Sequence, residues 1–131
     1  MSEMQCVVVT PEMTVIESPA QFVALPLFDG EIGVAPRHAP MIGRLGYGEM
    51  RLTTGGKTQR FYVDGGFVQV AHDVISVLTN RAVPLEDLDA AAAAKLLHEA
   101  YQRKAHSPES MAIRDRMEQQ ARAQMRLAGR K

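Results

Sequence analysis

Nine of the chain's ten glycines and six of its seven prolines precede residue 85; beyond it only Pro108 and Gly129 interrupt the sequence. That asymmetry constrains the fold more than any other feature. Glycine supplies positive φ and proline fixes φ at turns, so a segment this densely punctuated holds no long helix and reverses direction repeatedly. Between the turns lie short β-branched or alternating runs, at residues 5–9, 21–25, 49–53, 60–63, 67–70 and 74–78. Each has the length of a strand. The turn signals are Thr10-Pro11, Asp29-Gly30, Pro36, Pro40, Thr53-Thr54-Gly55-Gly56, Asp64-Gly65-Gly66 and His72-Asp73. Strands spaced this closely predict an antiparallel β-sandwich or flattened barrel over residues 1–84.

Residues 85–131 are rich in Ala, Leu, Met, Gln, Lys and Arg, all good helix formers. A first helix is predicted to begin after Glu86 or Asp87, whose carboxylates suit the free N–H groups of a helix start, and to run to about Ala105. Ser107-Pro108-Glu109 reads as an N-cap, a proline at the first helical position and an acid in the first turn, and Gly129 closes the second helix. Ile113, Met117, Ala121 and Met125 recur every four residues and are expected to form a stripe against the Ala-rich first helix. The expected organisation is therefore two domains, a sandwich over 1–84 and an antiparallel two-helix hairpin over 85–131.

The chemistry the chain can support is limited. Fifteen Lys and Arg balance fifteen Asp and Glu, so no bulk field recruits nucleic acid or an anionic membrane. The single cysteine, Cys6, excludes a disulfide framework and a cysteine-based zinc cage and reads as a small strand hydrophobe. The opening Met-Ser-Glu-Met carries no leader pattern and no stretch approaches ~20 apolar residues, so direct membrane insertion is not expected. His38, His72, His98 and His106 fall in no pattern that places two ligands on one helical face, so no metal is expected. Gly55-Gly56-Lys57-Thr58 resembles the tail of a phosphate-binding loop, but it lies between two strands where such a loop needs a following helix, and it reads as a hairpin turn. With no nucleophile elbow either, the chain is expected to be no enzyme and to carry no cofactor.

Residues 28–41 crowd two acids, two glycines, two prolines, an Arg and a His into a stretch too interrupted for a regular strand and too apolar for a tether. Two readings stand: an ordered corner with His38 hydrogen-bonded in place, or a partner-contact loop held by a rigid scaffold.

Asp29-Gly30-Glu31-Ile32-Gly33-Val34-Ala35-Pro36-Arg37-His38-Ala39-Pro40 resembles the E/D-G-E-[LI]-G-[IV]-x-P-x-H-A-P signature of the epsilon subunit of F-type ATP synthases. Val7-Val8-Val9-Thr10-Pro11-Glu12, Gly65-Gly66-Phe67-Val68-Gln69-Val70, Val74-Ile75-Ser76-Val77-Leu78 and Leu85-Glu86-Asp87-Leu88-Asp89 follow in the family's order, so the similarity covers nearly the whole chain. The resemblance implies a sandwich of about ten strands and a helical hairpin in a non-catalytic subunit of the rotary central stalk. It implies as partners the gamma subunit, the c-subunit ring below the sandwich, and the catalytic alpha and beta subunits above the hairpin, which in many relatives restrains ATP hydrolysis. It places Asp29 and Glu31 toward the c ring and His38, with Met41, near gamma, and locates a bacterial-type protein at the cytoplasmic face of the membrane, held there by its partners.

Residues 110–131 carry six basic side chains against two acidic ones. This surplus reads as a solvated face, or, given the resemblance, as Arg116, Arg122 and Arg126 meeting the acidic lower surface of the catalytic subunits. Two positions depart from the family. Arg37 stands where many relatives have a small or neutral residue, and residues 113–118 do not match the [IL]-D-x-x-R-A pattern through which some relatives bind ATP. A rival reading from another class is a stand-alone β-sandwich that captures a peptide or small ligand and dimerises through its hairpin.

Overall fold

The computed structural model describes residues 3–130; Met1, Ser2 and Lys131 lie outside the described set. The chain divides into two compact units, Met1–Pro84 and Leu85–Lys131.

The first unit contains β1 (Met4–Val9), β2 (Thr14–Ala20), β3 (Phe22–Leu27), β4 (Gly30–Val34), β5 (Met41–Thr54), β6 (Lys57–Ala71), β7 (Val74–Leu78) and β8 (Ala82–Pro84). They pair in the order β2-β1-β7-β6-β5-β3-β4, with β8 added to β6. Neighbours are antiparallel except β1 and β7, which run parallel. The described residues thus form eight strands, not about ten; part of the difference is that Asp64-Gly65-Gly66 does not end a strand. Gly65 (φ 71°) and Gly66 (φ 104°) lie inside β6, and β6 stays in register with β5 on both sides of them, Tyr47 opposite Asp64 and Leu45 opposite Gly66. What changes at the glycines is the other neighbour: residues 61–63 pair with β8, whereas residues 67–71 pair with β7. The inward-facing side chains change phase there as well, from Val63 to Val68 and Val70. A Cβ on Gly66 would lie 1.9 Å from the Leu78 carbonyl oxygen, so only glycine fits this crossing.

Gly55 and Gly56, both at positive φ, make the two-residue turn joining β5 to β6, as the hairpin reading expected. The core collects alternate residues from seven strands, among them Cys6, Val8, Val23, Leu25, Val34, Leu52, Val68, Ile75 and Val77 together with Ala20. Burial pushes the Cys6 thiol up to about 12, so it packs as an inert hydrophobe.

In the second unit a single 3-10 turn, Leu85–Asp87, precedes α1 (Ala90–Gln102) and α2 (Pro108–Ala128). Glu86 and Asp87 fall in that turn, and the cap of α1 is Asp89, whose carboxylate accepts the Ala91 N–H at 2.9 Å. The helix ends at Gln102, short of the expected Ala105. The start of α2 is as expected: Ser107 caps it, reciprocally with Ser110, and Pro108 opens it. The two helices pack on each other. The four-residue stripe is only partly realised. Ala121 is buried and Ile113 and Met117 are half-buried, but Met125 is exposed. A step of four residues advances about 40° beyond a full helical turn, so over three steps the stripe drifts off its face. Gln124, Leu127 and Ala128 are the buried residues at that end of α2.

Candidate functional site

The pairing register places side chains in rows on the outer face of the sheet. Ile42 on β5 stands opposite Gln69 on β6, which stands opposite Ser76 on β7; one row along, Arg44, Phe67 and Leu78 align in the same way. The core takes the alternate phase, Val68, Val70, Ile75 and Val77, so Phe67 and Leu78 point outward. Ile42 is 76% exposed, Phe67 58% and Leu78 55%. Phe28, also exposed, lies at the end of β3, its backbone N–H bonded to the Arg44 carbonyl and its ring 4.2 Å from the Arg44 guanidinium carbon. Exposed Ile, Phe, Leu and Phe side chains thus cluster in neighbouring rows with the Arg44 cation among them and Gln69 and Ser76 beside Ile42, a mixed apolar surface of the kind that docks proteins.

His38 and Met41 border this patch in sequence. Met41 opens β5 opposite Val70 and packs half-buried on the core, so it is its neighbour Ile42 that faces out. His38 is half-buried and its ring Nδ1 donates to the Ala39 carbonyl at 2.7 Å, ordering its own corner. Arg37, at φ 66°, donates its backbone N–H to the Asp73 carboxylate at 2.6 Å. Its departure from the family pattern is thus a backbone matter as well as a charge.

Asp29 is exposed in the turn between β3 and β4. Glu31, on β4, is half-exposed and bound in a two-pronged pair with Arg51, Oε1 to Nη2 at 2.7 Å and Oε2 to Nη1 at 3.3 Å. Arg51 also donates to Glu49 at 2.9 Å, and Glu49 accepts from Arg60 Nε at 2.9 Å. Burial raises the Glu49 carboxyl, but the hydrogen bonds and charges of Arg51 and Arg60 outweigh it and hold the group below the usual carboxylate range. Glu31, then Glu49, hold the Arg51 guanidinium above its ordinary value. Glu31 is therefore the exposed end of a four-member ionic ladder across the sheet.

On the hairpin, Arg116, Arg122 and Arg126 are all exposed. Arg122 pairs with Glu118 one turn back at 3.0 Å and donates to the Tyr101 hydroxyl on α1, so it ties the two helices together. Arg126 lies in the last turn of α2, where its charge complements the helix dipole. Lys131, counted in the basic surplus, lies outside the described residues.

Among the described residues no three His, Cys, Asp or Glu side chains gather as a metal site, and no helix is long and apolar enough to cross a membrane. A cleft of about 320 Å³ lies between residues 10–15 and 80–83, with Glu12 and Arg81 in its lining. It falls at the small end of ligand pockets.

The sequence reading named the border of the patch and missed its centre. Phe67 and Leu78 stood in runs already taken as strands, and the signal was the phase opposite the core valines, where a half-solvated strand ordinarily carries polar residues.

Residues 3–85 match the family described as ATP synthase, Delta/Epsilon chain, beta-sandwich domain. The ATP synthase epsilon chain of Rhodopirellula baltica is 52% identical over 122 residues, covering 93% of this chain and 95% of the relative. That of Nitratidesulfovibrio vulgaris strain DP4 is 36% identical over 124 residues, covering 93% and 92%. In solved structures, a chain of the Euglena gracilis mitochondrial ATP synthase superposes with a TM-score of 0.81 at 22% identity, covering 94% of this chain and 79% of that one. A chain of the Tetrahymena thermophila central stalk and c ring gives 0.75 at 9% identity, covering 95% and 96%. The signature around Glu31, the sandwich followed by two helices and these whole-chain relatives lead to one conclusion: the chain belongs to the ATP synthase epsilon chain family.

Proposed function

We propose that the sandwich docks the chain onto the gamma subunit through the Ile42, Phe67, Leu78 and Phe28 face, with the His38 corner at its border. Membership of the family makes the chain a non-catalytic, central-stalk subunit of a rotary ATP synthase. The observation that carries the docking face is the outward phase of β6 and β7, which leaves a Phe and a Leu 58% and 55% exposed on a rigid sheet. Asp29 and the exposed end of the ionic ladder, Glu31, face the polar loops of the c ring in this reading. The hairpin reaches the catalytic alpha and beta subunits through Arg116, Arg122 and Arg126 and restrains ATP hydrolysis, and the assembly lies on the cytoplasmic face of the membrane. No cofactor takes part.

Size-exclusion chromatography of the purified chain with and without gamma tests the docking. A monomer alone and a one-to-one complex with gamma is the expected result, with His38→Cys cross-linking to a suitably placed gamma cysteine. A defined self-assembly that ignores gamma would instead establish the stand-alone ligand-binding module. Ring contact is tested separately by proton pumping in the assembled synthase, where Glu31→Lys, which also repels Arg51, should impair coupling more than Glu31→Gln. Equal coupling by both variants and the parent would remove the c-ring role of Glu31.

A further inference from the structure

Among the described residues of the sandwich, three non-glycine ones adopt positive φ: Arg37 at 66°, His72 at 52° and Asp73 at 59°. This conformation is costly for side-chain-bearing residues and persists where surrounding bonds over-determine it. All three belong to one junction. His72 and Asp73 form the tight turn between β6 and β7, and Arg37 lies 36 residues earlier, in the loop that leads into β5. The Asp73 carboxylate accepts the Arg37 backbone N–H at 2.6 Å, while the Asp73 carbonyl accepts the Gln5 N–H at 2.9 Å. One residue therefore fastens three segments: the start of β1, the β6–β7 turn and the loop carrying His38. Its carboxylate grips the N–H of the Pro36–Arg37 peptide, one residue short of His38, and the His38 ring closes the corner on Ala39.

We infer that Asp73 is a positioning residue for gamma docking, holding the His38 corner through the Arg37 backbone in the shape the partner meets. The inference rests on the docking proposed above. It assigns Asp73 no contact with gamma. It gives the strained Arg37 backbone a role as well: the left-handed residue turns the chain into the His38 corner, and the Asp73 carboxylate holds that turn in place.

The substitutions separate acceptor from backbone. Asp73→Asn keeps a side-chain oxygen acceptor and tolerates positive φ; Asp73→Gly tolerates positive φ best of all but has no acceptor. Full-length parent and variants are titrated with purified gamma, and each melting temperature is recorded. Leu52→Ala, a core truncation on β5 opposite Gln59, away from the His72-Asp73 turn, serves as a stability control. The expected result is parent-like affinity for Asp73→Asn, which keeps the acceptor, and about tenfold weaker binding for Asp73→Gly, which must order the His38 corner on binding without it. Leu52→Ala should melt lower yet bind like the parent. Parent-like binding by Asp73→Gly, or a loss in Leu52→Ala as large as in Asp73→Gly, would overturn the positioning role. Failure of the parent itself to bind gamma would overturn the docking reading beneath it.

Discussion

The sandwich and the hairpin solve the burial problem in opposite ways. The sandwich fills its interior with Leu25, Leu45, Met50, Leu52, Ile75 and a set of valines, all with almost no exposure, whereas Leu127 is the single hairpin residue among the largest fully buried side chains. The other buried hairpin residues on α1 and α2 are mostly alanines, Ala93, Ala100, Ala121, Ala123 and Ala128. At roughly 25 cal/mol per Å² of apolar surface, alanine burial contributes far less per residue than leucine or valine burial. The sandwich's backbone is also committed at special positions, two glycines inside β6 and three non-glycine residues at positive φ. A lightly held hairpin with local caps can change conformation within a few kcal/mol; a sheet with a filled core cannot. The proposed function accordingly gives rigid docking to the first unit and regulation to the second.

The sharpest way to break this contrast is at the crossing in β6. Gly66→Ala drives a Cβ into the Leu78 carbonyl in a backbone already at φ 104°. It should cost about 3 kcal/mol or more, leaving the full chain without a cooperative sandwich transition by circular dichroism. In the core, Leu52→Ala should cost about 2–5 kcal/mol in chemical denaturation, while Met125→Ala on exposed α2 surface should change it by less than about 0.5 kcal/mol. Equal losses would contradict the burial difference between these two positions.

Smaller effects sharpen the comparison. Glu49→Gln should destabilise the chain by about 1–2 kcal/mol, toward the low end because both arginines remain partly solvated. The folded Glu49 carboxyl lies below its unfolded value, so its contribution is present above the ordinary glutamate range near ~4.3 and disappears as pH falls through the folded value. A thermal series from neutral to acid pH should show parent and Glu49→Gln converging at the acid end; a constant gap would remove the ladder from the pH dependence. In the hairpin, Ser107→Ala removes the reciprocal cap and should cost about 1 kcal/mol of α2 stability, read as fraying by hydrogen exchange. Arg122→Gln, which releases both Glu118 and Tyr101, should have a small effect on stability, about 0.3–0.5 kcal/mol for the exposed pair. In the assembled catalytic complex, changing Arg116, Arg122 and Arg126 together to Gln should raise ATP hydrolysis, with the difference shrinking as salt rises. No change across a salt series would leave the hairpin without an electrostatic restraint.

The division near Pro84 and the start of α2 were legible because local chemistry decides them: proline and glycine density, and the Ser107-Pro108 cap. The 30–34 strand and the merging of two strands in β6 were not. Glycines 65 and 66 read as a turn in isolation, and only pairing with β5 on both sides turns them into a crossing. Asp73 was equally hidden, because its partner is the Arg37 N–H and no local pattern records a bond across 36 residues. Glu31 and Arg51, 20 residues apart, meet for the same reason.

The most direct test titrates gamma against three chains: the full-length protein, a chain ending at Leu85, and a full-length Ile42→Asp, Phe67→Asp double variant. Both substituted residues are exposed, so the double variant should fold normally. If the sandwich face is the dock and the hairpin is not, the shortened chain should bind within about threefold of full length. Placing two carboxylates in a desolvated apolar contact should weaken the double variant by about a hundredfold or more. Parent-like affinity in the double variant, together with lost binding in the shortened chain, would contradict that assignment and move the dock to the helices.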